Sequence, residues 1–81
     1  MTTLQDIRNQ LIKMLGGEAR LGVDGDQQIF GLVVSRAFEG DTPRVREQRL
    51  WGALYRRFSE KELKRVILLL PITPAEERSI S

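Results

Sequence analysis

The 81-residue chain contains no histidine and no cysteine. Without thiols there is no disulfide, no zinc knuckle and no thiolate donor for an iron–sulfur cluster. Without imidazole the commonest proton shuttle is gone, and Ser35 and Ser59 have no histidine base to activate them. Aromatic residues are also few. Trp51, Tyr55 and Phe58 are close enough in sequence to suggest a base-stacking platform. They fall beside Leu50 and Leu54, however, which makes core packing the better reading. No apolar run approaches the roughly 18 residues of a membrane helix; the longest, over residues 66–72, is strand-length. Met1-Thr2-Thr3-Leu4 lacks the basic start and apolar stretch of a secretory signal. A secreted domain this small is usually disulfide-dense, so an intracellular, cytoplasmic location is expected. Residues 1–81 are expected to form one domain, near the lower limit of core size for independent stability.

Charge is present but unevenly placed. The net value is only +2. Residues 1–43 hold four basic and six acidic side chains; from Arg44 onward there are nine basic and five acidic. Such asymmetry points to an anionic partner for the C-terminal half.

Leu4, Ile7, Leu11, Met14 and Leu15 follow a 3.6-residue period and predict a helix over residues 3–15. Thr3 supplies its cap, Asp6 sits favourably in its first turn, and Gly16-Gly17 stop it. Residues 19–23 read as a short strand. Asp24-Gly25-Asp26 reads as a hairpin turn rather than a calcium loop, since the later ligands are missing. Residues 28–35 form the second strand, with Ile29, Gly31, Val33 and Ser35 on one face and Phe30, Leu32 and Val34 on the other. Thr42-Pro43 opens a second helix that runs to about Phe58. Its core stripe is Leu50, Leu54 and Phe58 with Trp51 and Tyr55, while Arg46, Arg49, Ala53, Arg56 and Arg57 project to the other side. A further helical turn over residues 59–62, a strand over 66–70 and a brief helix at Thr73-Pro74 complete the order, leaving 77–81 as a loose tail. A hairpin followed by a crossover helix implies a three-stranded mixed sheet. Two helices on one face would give a two-layer αββαβ(α) sandwich of the α+β class. The other face, apolar in part, would then be an interaction surface or a homodimer seam.

Val33-Val34-Ser35, Phe38-Glu39-Gly40, Trp51-Gly52-Ala53-Leu54 and Thr73-Pro74-Ala75-Glu76 resemble, in order and spacing, the BolA-like family. The likeness spans about residues 21–76, and Val-Ser-x-x-Phe-x-Gly is its most specific part. It implies a fold similar to the class II KH fold, and a transcription-regulator role. It also implies partnership with a monothiol glutaredoxin around a bridged two-iron, two-sulfur cluster. The family's invariant histidine near the start of the last strand falls at about Arg65. Its second His or Cys ligand falls within residues 22–29, which hold neither type. Arginine keeps its proton and is no ordinary ligand. The chain therefore brings no metal donor and no cofactor of its own.

These readings describe a non-enzymatic binding or regulatory module. Its candidate site is the cationic set Arg44, Arg46, Arg49, Arg56, Arg57, Lys61, Lys64 and Arg65, facing DNA, RNA or an acidic protein. The Gly-x-x-Gly loop by which many KH domains clamp a nucleic-acid backbone is absent. The alternative is an adaptor for a monothiol glutaredoxin that contributes no ligand.

Overall fold

The structure, a computed structural model, describes residues 2–80. Helix α1 spans Leu4–Leu15. Thr3 Oγ1 accepts from the Asp6 N–H, and the Asp6 carboxylate accepts from the Thr3 N–H, a reciprocal capping box. Gly16 and Gly17 then turn the chain at positive φ (72° and 74°). At Gly17 a side chain is excluded twice over, because a Cβ there would also collide with the Val34 carbonyl oxygen.

Strands β1 (Glu18–Val23) and β2 (Ile29–Val34) pair antiparallel, and β3 (Val66–Ile72) joins β2 in parallel, in the order β1-β2-β3. The hairpin turn is held by Asp24, whose Oδ1 accepts from the Asp26 and Gln28 N–H groups. The left-handed residue in it is Gln27 (φ 65°), not the glycine of Asp24-Gly25. A bulge between Ile29 and Phe30 shifts the parallel register.

Ser35, almost fully buried, ends β2. Its Oγ donates to the Leu15 carbonyl (2.6 Å) and accepts from the Ala37 N–H (3.0 Å). It thereby ties the end of α1 to a 3-10 turn, Arg36–Phe38. Phe38 drops fully into the core and Gly40 (φ 79°) reverses the chain. The Val-Ser-x-x-Phe-x-Gly pattern is thus a structural hinge leading into α2, Pro43–Tyr55. Helix α3, Pro74–Ile80, closes the described chain.

Ile7 and Leu11 of α1, Leu50 and Leu54 of α2, and Ile29, Val33 and Leu69 of the sheet meet in one core with Phe38. Both long helices lie on that face, so the expected two-layer α+β sandwich is what forms. On the opposite face Phe30, Leu68 and Leu70 remain 41–52% exposed. Val34 points the same way yet is buried, because α3 crosses that end of the sheet, held by an ion pair between Arg20 of β1 and Glu77.

Several expectations are corrected. Helix α2 stops at Tyr55, three residues early, since Arg57 and Phe58 both return their N–H groups to Leu54. Residues 60–65 form a run of turns, and the expected helical turn from Ser59 is present as the bond from the Leu63 N–H to the Ser59 carbonyl, without continuing into a helix. The expected tail is helical through Ile80, and Ser81 lies outside the described residues.

Candidate cationic binding surface

Burial of Leu50 and Leu54 fixes the rotation of α2. Thr42 caps it through a 3.3 Å bond from the Val45 N–H, and Pro43 occupies its first turn. The side facing away from the core carries the i, i+4 ridge Arg44–Gln48–Gly52–Arg56, with Tyr55 and Arg49 beside it. Tyr55 is 53% exposed and only leans against Trp51 (centroids 6.1 Å apart), so it is not part of the core as expected. Ala53 is buried, because α1 covers that flank: the buried Gln10 amide donates to the Ala53 carbonyl (2.9 Å).

The eight predicted cations divide into two groups. Arg46 is turned inward, its side chain only 15% exposed. It donates to the Asp41 carbonyl (3.1 Å), the Pro71 carbonyl (3.3 Å) and Glu76 Oε1 (2.6 Å), joining α2, β3 and α3. This corrects its placement on the outward side of the helix. Arg49 binds Asp41 through Nε (3.0 Å). Arg57 lies 5.2 Å from the centre of the Phe58 ring. Arg65 donates to the Gln27 carbonyl (2.8 Å).

Arg44, Arg56, Lys61 and Lys64 are exposed, and among the described residues none of their side chains has a hydrogen bond or an ion pair. The last two stand on the turns after α2, which buried Leu63 anchors. Glu62 beside them keeps its negative charge. Its carboxylate accepts from Thr2 Oγ1 (2.6 Å) and the Ser59 N–H (2.9 Å), and these bonds, Thr2 first, hold it below its usual range.

Glu76 shows the strongest displacement: Arg46, and then the Thr73 N–H, lower its carboxyl from 4.5 to about 2. A folded-state value below the unfolded one stabilises fully above the unfolded pKa and is lost as pH falls through the folded one. Stability is therefore expected to drop between about pH 5 and about pH 2. Glu76→Gln should flatten that part of a thermal-melting series while lowering the melting temperature at neutral pH. An unchanged acid slope in the variant would show that the pair contributes nothing.

The two positions carried over for cluster ligands, Arg65 and the hairpin turn, do come together, since Arg65 contacts Gln27. They offer a guanidinium and a backbone carbonyl, neither of which fits an iron–sulfur cluster. No group of three or more His, Cys, Asp or Glu side chains that could hold a metal ion occurs among the described residues. No helix of the described residues is long and apolar enough to cross a membrane.

No family model matches the chain, and no curated protein matches it. Among solved structures it is similar to a BolA protein homologue from Coxiella burnetii. The TM-score is 0.67 at 26% identity, over 96% of this chain and 99% of that one.

Proposed function

We propose that this chain, a divergent BolA-like protein without the family's metal-ligand residues, is a non-enzymatic regulatory module that binds nucleic acid. The observation that carries this reading is the separation of its cations. Arg46 is turned into the fold and Arg49 is exposed but tied to Asp41 through Nε, whereas among the described residues Arg44, Arg56, Lys61 and Lys64 stand unpaired along α2 and the turns after it. Unpaired cations on a rigid element can replace the counterions of a phosphate backbone.

The test is a binding series with single-stranded and duplex oligonucleotides at increasing salt. Four phosphate contacts predict that log K falls against log salt with a slope of about −3. Affinity indifferent to salt would remove the proposal.

A second reading is favoured by the half-exposed Phe30, Leu68 and Leu70 on the outer sheet face. That face would seat a protein partner, either a monothiol glutaredoxin or a second copy of the chain, with this protein as adaptor. Size-exclusion chromatography with light scattering, alone and with a cluster-loaded glutaredoxin, distinguishes the two partners. A monomer that ignores the glutaredoxin would exclude both.

A further inference from the structure

We infer that the shallow groove between α1 and α2, opened by Gly52, seats an unpaired segment of single-stranded nucleic acid. The inference rests on the nucleic-acid reading and assigns it a place and a strand state.

Glycine is the poorest helix former after proline, yet Gly52 lies well inside α2. Nothing in the fold requires it there. Its φ is not left-handed, and a Cβ added to it would meet nothing within 4 Å. The missing side chain instead leaves open a groove bordered by Met14 and Ala37 on one side and by Gln48, Arg49 and Arg56 along α2. No lining residue is acidic. Arg56 has no ion pair among the described residues, and the bond from Arg49 to Asp41 uses Nε alone. The groove therefore has cationic rims spaced along a helix, one amide able both to donate and to accept, and an apolar strip from Met14 and Ala37. A duplex presents phosphates outward and gains nothing from an apolar strip. A single strand has free base faces to lay on it while its phosphates meet the arginines. The absent Cβ allows the strand's backbone to approach the helix.

The experiment uses the full chain with a fluorescent 12-nucleotide oligo-dT, and the same strand paired with oligo-dA, at low salt. Gly52→Leu fills the groove and removes no charge. Leucine and alanine are strong helix formers, so both Gly52→Leu and Gly52→Ala should melt higher than the native chain, which guards against a misfolded variant. Gly52→Leu is expected to weaken single-strand binding by about tenfold and duplex binding much less, with Gly52→Ala between native and Gly52→Leu. Native-like single-strand affinity in Gly52→Leu would overturn the groove while leaving the salt-dependent binding of the native chain intact. Equal losses for strand and duplex would overturn the strand assignment. A native chain that binds neither oligonucleotide sinks the proposed function, and this inference with it.

Discussion

Phe38→Ala is expected to leave the chain largely unfolded or close to it. Phe38 is the largest of the fully buried side chains and joins both long helices to the sheet. Truncating a buried phenylalanine costs about 3–5 kcal/mol, the lost transfer energy plus the cavity left behind. A chain of this length has a total stability of about 4–12 kcal/mol, so the loss takes from about a quarter of it to all of it. There is no disulfide to limit the damage. Urea unfolding followed by circular dichroism reads the effect as a large fall in the transition midpoint. Phe30→Ala is the matched control. Phe30 lies on the outer face, 41% exposed, with its ring over Gly22 of the neighbouring strand. Its truncation should cost about 1 kcal/mol. Equal costs at the two positions would mean that the core is not where the fold places it.

Removing Arg56, Lys61 and Lys64 together, each to alanine, is expected to lower nucleic-acid affinity at low salt on the order of a hundredfold, and to reduce the salt slope by about 2–3. Stability should stay within about 0.5 kcal/mol of native, because these side chains are exposed and have no hydrogen bond or ion pair among the described residues. Arg46→Ala should behave in the opposite way. It removes one donor from two backbone carbonyls and leaves the Glu76 carboxylate with only the Thr73 N–H, so it should destabilise by about 1–3 kcal/mol. Binding by the folded fraction should change little. A binding loss in Arg46→Ala equal to that of the triple variant would show that the division between structural and free cations is wrong.

The sequence was most informative where a single residue type meets a single geometric demand. Thr3, Asp6 and the glycine pair bound α1 as expected, and Ser35, Phe38 and Gly40 mark the hinge. The strand faces followed from alternation, because the hairpin turn at Asp24 fixes the register. The expected outward placing of Arg46 and Ala53 does not follow from helix geometry: they lie four residues before and three after Leu50, on its own side of α2. Pro71 and Glu76, 25 and 30 residues away, draw Arg46 in, and α1 covers Ala53. Tyr55 fits the periodic stripe but sits at the helix end, where the chain has already begun to turn away. The cationic set was legible as composition. Which of its members are free was not, because ion pairing is a tertiary property. Gly52 was visible as a glycine inside a helix, yet only the position of α1 beside it turns that glycine into a groove.

The central claim is that the chain works by presenting free cations along α2 and the turns after it to a polyanion. Amide NMR of the labelled chain, titrated with a single-stranded oligonucleotide, tests it most directly. The account predicts that the largest shifts fall at Arg44, Gly52, Arg56, Lys61 and Lys64 and fade as salt is raised. Shifts confined to Phe30, Leu68 and Leu70 on the outer sheet face, or no shifts at low salt, would contradict it.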